Sequence, residues 1–244
     1  MKVVILAGGL GTRLAEYTKT IPKPMVKIGP YPIIAHIINH YINFGFKDFI
    51  LATGYKSYVF KKYFKNFKNN GSEFKTKIFG KNCTLNILDT GKKTLTGGRL
   101  KRVEKYLPKN ENFMFTYGDG ISNVNLKKLL DFHIKRKKII TVTAVRPPAR
   151  FGEIVLKKDS VLSFKEKPQT SNGWINGGFF VANTSFLKFI RGDSEILEKW
   201  PLEKVTKLKQ LSAFKHFGFW KCMDVKRDRE ELQKIYKKNK FLYS

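Results

Sequence analysis

The chain has few cysteines and no long apolar run. Cys83 and Cys222 are its only cysteines, and they form no CxxC spacing. This excludes a structural zinc site of paired cysteines and is typical of proteins in a reducing compartment. No apolar run reaches the roughly 18 residues of a membrane-spanning helix. Since the first residues lead directly into a strand pattern, we also expect no signal peptide and predict a cytoplasmic protein.

Acidic residues are also scarce. Asp and Glu number 19 against 48 Lys and Arg, giving a formal charge of +29. Such a charge attracts polyanions and raises the possibility of nucleic-acid binding. The excess is mostly Lys, however, and it is spread along the chain without a basic tail. We therefore interpret it as a solvated surface that also attracts anionic substrates, and we expect neither nucleic-acid nor membrane partners.

The first candidate site follows the first predicted strand. Val3–Leu6 is apolar on both faces, as in a buried parallel strand, and it runs into the glycine-rich segment Ala7–Arg13. Glycines let backbone N–H groups approach a phosphate closely. Arg13 adds a cationic fork, and Lys23, between two prolines, adds a point charge. The alternative is a tight strand-to-helix turn with an incidental arginine.

Two familiar phosphate loops are excluded in this segment. A P-loop ends in Gly-Lys-Ser/Thr, whereas this loop ends in Gly11-Thr12-Arg13. The dinucleotide fingerprint needs a third glycine where this chain has Leu14. What remains is a glycine loop with Arg13 inside it and Lys23 ten residues later, a pattern that predicts a phosphate site of another class.

The remaining pattern predicts an α/β protein. We predict strands at Val3–Leu6, Asp48–Thr53, Phe74–Phe79, Thr84–Leu88, Phe113–Tyr117 and Ile139–Val145, and helices at Ile33–Ile42, Ser57–Phe67, Leu100–Leu107, Val124–Lys138 and Lys226–Asn239. Alternating strands and helices favour a Rossmann-like mixed, mostly parallel sheet flanked by helices. Short alternating runs at Glu153–Lys157 and Val161–Phe164 predict a small antiparallel β patch in the C-terminal half.

We expect one domain with three parts. They are expected to be a nucleotide-binding α/β part over residues 1–145, a second substrate-binding part over residues 146–225 and a closing helix over residues 226–244. No repeat or low-complexity linker separates them.

Two further patterns leave alternatives open. Asp119 lies between Gly118 and Gly120 at a strand end, where it could meet a metal or simply form an Asp-Gly turn. His36 and His40 share a helix face and could bind a metal. Ile37 stands where a zinc protease motif has Glu, so we interpret them as packing residues.

Five blocks in order give the chain a family resemblance. They are Asp89–Gly91, Thr96–Arg102, Tyr117–Gly120, Ile175–Phe180 and Gly218–Asp224. Together with the glycine loop and Pro22-Lys23-Pro24, they resemble the sugar-phosphate nucleotidyltransferase family, and specifically its cytidylyl-transferring branch. The resemblance covers the whole chain and implies the nucleotide-diphospho-sugar transferase fold.

The resemblance also implies a reaction. It is the transfer of a cytidylyl group from CTP to glucose 1-phosphate, with release of pyrophosphate, for deoxysugar and surface-polysaccharide synthesis. Relatives that use UTP or dTTP share the loop, so the same reaction with another base or sugar is an alternative. A third possibility is a regulatory homologue that binds nucleotide sugars but has no catalytic activity. The resemblance further implies a homo-oligomer.

Site residues follow from the resemblance position by position. It implies catalytic functions for Arg13, Lys23, Asp119 and Asp224, with Asp119 and Asp224 holding Mg²⁺. It implies nucleotide binding by Leu6, Ala7, Gly8, Gly9, Leu10, Gly11, Thr12, Arg13, Lys23, Thr96, Gly98, Arg99 and Gly118. It implies sugar-phosphate binding by Glu166, Lys167, Asn176 and Gly177, within a sugar-phosphate-binding part over residues 146–225. A surface ion pair is the alternative interpretation of Glu166 and Lys167.

Overall fold

An eight-stranded sheet organises the computed structural model, which describes residues 1–64, 72–146, 153–165 and 173–238. The strands are β1 (Lys2–Leu6), β2 (Lys27–Ile28), β3 (Tyr31–Pro32), β4 (Asp48–Thr53), β5 (Glu73–Ile78), β6 (Lys81–Asp89), β7 (Asn112–Tyr117), β8 (Gly120–Ser122), β9 (Ile140–Val145), β10 (Glu153–Lys157), β11 (Ser160–Lys165), β12 (Ile175–Asn183), β13 (Leu211–His216) and β14 (Trp220–Cys222). The helices are α1 (Ala15–Thr18), α2 (Ile33–Asn43), α3 (Ser57–Tyr63), α4 (Thr96–Val103), α5 (Leu126–Arg136), α6 (Trp200–Lys207) and α7 (Lys226–Lys237).

The strand order of the main sheet is β13-β9-β12-β7-β1-β4-β6-β5. Strands β1, β4, β6 and β7 are mutually parallel, and β13 is parallel to β9, whereas β12 and β5 pair antiparallel to their neighbours. The separate β10–β11 hairpin is the predicted antiparallel patch. The predicted mixed, mostly parallel α/β sheet is therefore confirmed.

Helices cover both faces of the sheet because the central strands are apolar on both faces. In β1, Val3 and Ile5 belong to one buried cluster, and Val4 and Leu6 belong to the other. The first cluster includes apolar residues of α2, α5 and α7, and the second includes residues of α4 and α6. This layering leaves the carboxyl ends of β1, β4, β6 and β7 at one edge, where ligands of such sheets bind.

The two histidines of α2 are packing residues, as predicted. His36 Nε2 lies 2.8 Å from the carbonyl of Ile28, and His40 Nε2 lies 2.9 Å from the carbonyl of Val124. Burial lowers the pKa of His40 to about 4, so the ring is neutral at ordinary pH. Their spacing therefore reflects helix packing.

Several predicted boundaries were wrong. Helix α4 begins at Thr96 and not at Leu100, because the carbonyl of Glu195 accepts hydrogen bonds from Gly97 and Gly98 and lets a glycine pair open the helix. Strand β6 begins at Lys81, three residues before the predicted Thr84. Helix α3 ends at Tyr63, and its predicted end at Phe67 lies outside the described residues.

Several elements of the C-terminal half were not predicted, and neither were the short elements α1, β2, β3 and β8 earlier in the chain. The block Ile175–Phe180, for which no strand was predicted, belongs to β12, which bulges between Asn176 and Phe180, with Gly178 at φ +79°. Helix α6 and strand β13 were also not predicted. Both lie far along the chain from the glycine loop, yet α6 follows a segment that reaches the site.

Candidate functional site

A cavity of about 850 Å³ opens at the carboxyl edge of the sheet. This volume suits a nucleotide-sized ligand. The predicted site residues in its wall are Leu6, Ala7, Gly8, Gly9, Gly11, Thr12, Arg13, Lys23, Thr96, Arg99, Gly118, Asp119, Asn176, Gly177 and Asp224. Leu10 and Gly98 lie outside the wall, and Glu166 and Lys167 lie outside the described residues. The substrate contacts of all these residues remain predictions.

The glycine loop forms one side of the cavity. Gly11 has φ +66°, a left-handed conformation, and precedes a 3-10 turn at Thr12–Leu14. The hydroxyl of Thr18 donates to the carbonyl of Gly11 at 3.1 Å and fastens the turn. Leu10 is 46% exposed and points its bulk to solvent. Gly8, Gly9 and Gly11 therefore present backbone to the cavity.

Arg99 holds three strand ends together beneath this loop. Its Nη2 donates to the carbonyl of Gly8 at 2.9 Å, and its Nη1 lies 3.0 Å from the carbonyl of Thr53 and 2.8 Å from that of Gly91. The side chain is 4% exposed. A Cβ on Gly8 would lie 2.1 Å from Nη1, and one on Gly54 would lie 2.3 Å from it. These glycines therefore make room for the guanidinium, which positions the floor of the cavity.

Replacing Arg99 with Ala is expected to lower the free energy of unfolding by about 3 kcal/mol or more, because buried carbonyls lose their donor and a void remains. Urea denaturation measures this change. Arg102→Ala is the matched control, since Arg102 is 46% exposed and pairs with Asp193 at the surface. We expect that variant to lose less than about 1 kcal/mol. Equal losses would contradict the positioning function of Arg99.

Two carboxylates distant in sequence meet because β8 pairs with β14. Asp119 precedes β8 and Asp224 follows β14, and Gly120 lies opposite Cys222 in the antiparallel ladder. The N–H of Met223 donates to the carbonyl of Asp119 at 2.9 Å and extends the ladder by one bond. Both carboxylates thereby face the same end of the cavity.

Lys23 lies between these carboxylates. Its Nζ is 2.6 Å from Asp119 Oδ2 and 2.7 Å from Asp224 Oδ1. Pro22 and Pro24 flank it, and residues 23–25 form a 3-10 turn that aims the side chain inward. Burial acts to lower the pKa of Lys23, but the two carboxylates outweigh burial, and the net pKa is raised. The lysine is therefore charged at neutral pH.

Arg13 completes the ion network at the cavity mouth. Its Nη1 lies 3.0 Å from Asp224 Oδ2, and its side chain is 70% exposed. For Asp224, burial acts to raise the pKa, but hydrogen bonding to Lys23 and the charges of Lys23 and Arg13 prevail and lower it. The four predicted catalytic side chains thus form one connected network.

Asp228 positions Asp224 from the first turn of α7, and sequence reasoning missed it. Its Oδ2 accepts from the backbone N–H of Asp224 at 2.9 Å and of Val225 at 3.0 Å. Asp228 is 7% exposed and also pairs with Lys221 at 3.4 Å. A carboxylate in the first turn of a helix commonly caps that helix, so the position of Asp228 at the start of the predicted last helix could have indicated this function.

The pair of carboxylates fits a divalent cation shared with substrate. The oxygens of Asp119 and Asp224 already converge on one cation, the ammonium of Lys23. Within the described residues, no cluster of three or more His, Cys, Asp and Glu side chains could hold a metal alone. Mg²⁺ commonly takes one or two protein carboxylates and completes its shell with phosphates and water. The donor set therefore suits Mg²⁺ bound together with a triphosphate.

The other end of the cavity is polar but uncharged apart from one carboxylate. The amide of Asn176 donates to the hydroxyl of Tyr117 at 3.3 Å, and that hydroxyl donates to Glu198. The indole of Trp220 donates to the carbonyl of Gly177 at 2.7 Å and fixes the bulge of β12. Sequence reasoning assigned no function to Tyr117, although it belongs to one of the five blocks, and did not name Glu198.

Nucleophilic side chains near the cavity are not activated. Burial and nearby carboxylates raise the pKa of Cys222 to about 12, which keeps it a thiol. Ser122 Oγ lies 3.2 Å from His216 Nε2, but it also lies 2.8 Å from the carbonyl of Phe219, to which it donates. Ser122 is 2% exposed and outside the cavity wall. The described wall thus holds cations and carboxylates without an activated nucleophile.

Comparison with known proteins agrees with this geometry. A family model described as nucleotidyl transferase matches residues 2–218. The chain is 44% identical to the glucose-1-phosphate cytidylyltransferase of Salmonella typhimurium, covering 98% of this chain and 97% of that protein. It is 37% identical to the probable glucose-1-phosphate cytidylyltransferase of Bacillus subtilis, covering 97% and 96%.

A solved structure shares the fold. HddC from Yersinia pseudotuberculosis superposes with a TM-score of 0.72 at 24% identity, covering 96% of this chain and 99% of that one. Separately, no helix within the described ranges is long and apolar enough to cross a membrane.

Proposed function

The chain belongs to the nucleotidyl transferase family, and from that premise we propose that it transfers a cytidylyl group from CTP to α-D-glucose 1-phosphate. The products are CDP-glucose and pyrophosphate. The identity of 44% to a relative of that name over nearly the whole chain supports the choice of base and sugar. We further propose that the reaction takes place in the cytoplasm and supplies deoxysugars for surface polysaccharides.

The reaction needs positioning and charge neutralisation more than nucleophile activation. A phosphate oxygen of glucose 1-phosphate attacks the α-phosphorus of CTP, and the bond from that phosphorus to the β-phosphate oxygen breaks. The attacking oxygen is already an anion, so no protein base is required. The cavity wall is consistent with a reaction that needs no activated protein nucleophile, because its thiol at Cys222 stays protonated. The remaining work is to align two anions and stabilise the charge at the α-phosphate.

The chain's own residues divide this work. The glycine loop from Gly8 to Thr12 would hold the triphosphate with its backbone N–H groups. Lys23 would move from its carboxylate partners to the α-phosphate, and Arg13 would steady the departing pyrophosphate. Asp119 and Asp224 would hold Mg²⁺, which, when bound, neutralises phosphate charge.

The observation that carries the proposal is the single network of Arg13, Asp224, Lys23 and Asp119 in a nucleotide-sized cavity. The same network argues against an inactive regulatory homologue, because a site that has lost activity usually loses one such residue. The second candidate is the same reaction with UTP or dTTP, because few contacts read the base.

A substrate panel tests the proposed function. Purified protein with Mg²⁺ and glucose 1-phosphate is incubated separately with CTP, UTP, dTTP and GTP, and pyrophosphate release is followed. We expect CTP to give the highest kcat/KM and CDP-glucose to be the product. Faster release with UTP or dTTP would overturn the choice of base, and no release with any triphosphate would overturn the enzymatic proposal.

A further inference from the structure

Glu198 reaches the cavity on a segment that docks onto helix α4. The carbonyl of Asp193 accepts from the N–H of Leu95 at 2.8 Å, and the carbonyl of Glu195 accepts from that of Gly97 at 2.9 Å. A Cβ on Gly98 would lie 2.5 Å from backbone atoms of Asp193. Gly98, to which the resemblance assigned nucleotide binding, therefore serves as a contact surface for this segment.

The carboxylate of Glu198, at the end of this segment, connects two walls of the cavity. Thr96 Oγ1 donates to Glu198 Oε2 at 2.8 Å, and the hydroxyl of Tyr117 donates to Oε1. Thr96 in turn accepts from the N–H of Leu197 at 3.0 Å, which fixes the direction of its proton. The carboxylate is thus oriented by groups at the start of α4 and the end of β7.

The orientation leaves acceptor capacity facing the cavity. Each carboxylate oxygen has about two lone-pair sites, and one site on each oxygen is used by Tyr117 or Thr96. Glu198 is an exposed residue in the cavity wall, so the remaining sites are open to a ligand.

The charge of Glu198 restricts what that ligand presents. Asp119 and Asp224 are neutralised by Lys23 and Arg13, whereas no ion pair to Glu198 is found among the described residues. A bare carboxylate repels phosphate groups. It also forms no metal-binding cluster with the other two acids in the described part of the chain. The partner is therefore a neutral hydrogen-bond donor, and a pair of adjacent hydroxyls matches two oxygens with one free site each.

We propose that the carboxylate of Glu198 binds two hydroxyl groups of a substrate sugar, one at each oxygen, and so acts as a specificity residue. The inference rests on the proposed function, which supplies two such sugars. They are the glucose of the sugar phosphate and the ribose of the nucleotide. Asn176 shares the hydroxyl of Tyr117 with Glu198 and lies on the same side of the cavity wall.

The test compares Glu198→Gln with wild type on substrates that lack single hydroxyls. The analogues are the monodeoxy glucose 1-phosphates, each with CTP, and dCTP with glucose 1-phosphate. Wild type is expected to discriminate against at least one analogue by about 10- to 100-fold in kcat/KM. In Glu198→Gln, activity on the natural pair falls by a similar factor, and that discrimination shrinks to a few-fold.

Controls separate this inference from the proposed function and from a folding defect. Glu203→Gln makes the same charge change at an exposed position of α6 outside the cavity and is expected to match wild type. Glu198→Asp keeps the charge but withdraws the oxygens, so it should lose discrimination as well if Glu198→Gln proves unstable. Wild-type turnover on the natural pair is established first, since its absence would contradict the proposed function and not this one.

The pattern of lost discrimination identifies the sugar. Loss against a deoxyglucose 1-phosphate alone supports the glucose hydroxyls, and loss against dCTP alone supports the ribose hydroxyls. Unchanged discrimination in both variants, with activity lowered for all substrates alike, would mean that Glu198 only fastens Thr96 to Tyr117. That result would overturn the proposal.

Discussion

Replacing Asp119 with Asn is expected to lower kcat by about 10³-fold while the protein remains folded. The change keeps the shape of the side chain but removes one of the two charges that face Lys23 at 2.6 Å and 2.7 Å. An amide is a poor ligand for Mg²⁺ compared with a carboxylate. Pyrophosphate release at saturating CTP and glucose 1-phosphate measures the loss, and circular dichroism with thermal unfolding checks the fold.

Asp131→Asn is the matched control for this variant. Asp131 is exposed on α5 and outside the cavity, so the same change in charge should leave kcat within about twofold of wild type. If Asp119→Asn kept wild-type kcat, the two carboxylates would not hold a catalytic metal. In that case the pairing of β8 with β14 would be structural only.

Replacing Lys23 with Met is expected to have opposite effects on two quantities. Turnover should fall by about 10²- to 10³-fold, because the α-phosphate loses a cation in the transition state. The affinity of the free protein for Mn²⁺, used in place of Mg²⁺, should rise by about tenfold or more, because the ammonium that now lies between Asp119 and Asp224 no longer competes. Calorimetric titration with Mn²⁺ in the absence of nucleotide measures the second quantity.

The two readouts distinguish a catalytic lysine from a structural one. Lys27→Met is the matched control, since Lys27 lies a few residues further along the chain at an exposed position of β2, and it should change neither quantity. A purely structural Lys23 would give a variant with lower stability and weaker Mn²⁺ binding, since the unpaired carboxylates would move apart. Stronger metal binding together with lost turnover fits only a lysine that exchanges its carboxylate partners for phosphate.

The parts of the site that lie close together in sequence were predictable. Val3–Leu6 followed by a glycine loop is a local signal. A strand buried on both faces needs consecutive apolar residues, and a turn with φ above zero favours glycine, so both can be recognised from a short stretch of sequence. Pro22 and Pro24 mark Lys23 in the same way. These residues alone predict a phosphate site at this edge, and the structure places them in one cavity wall.

The parts that depend on long-range register were not predictable from residues alone. Asp119 by itself is an ordinary Asp-Gly turn, and only the pairing of Gly120 with Cys222 brings it to Asp224. Pairing between short strands about a hundred positions apart has no local signature. The family resemblance predicted that Asp119 and Asp224 act together, and the pairing of β8 with β14 explains why they lie close to each other.

Arg99 and Gly98 show that residues of a predicted nucleotide-binding block can have a structural function within the protein. Both belong to a block that the resemblance connects with the nucleotide. The guanidinium of Arg99, however, donates hydrogen bonds to the carbonyls of Gly8, Thr53 and Gly91. Gly98 makes room for the backbone of Asp193. Composition cannot distinguish a glycine that admits a ligand from one that admits another part of the chain.

The most direct test of the central claim is a crystal structure with Mn²⁺ and a non-hydrolysable CTP analogue, using anomalous scattering to locate the metal. The account predicts one peak bound by Asp119, Asp224 and phosphate oxygens, with Lys23 Nζ moved onto the α-phosphate and the glycine loop around the triphosphate. A metal located elsewhere, with Lys23 still held between the two carboxylates while nucleotide is bound, would contradict it.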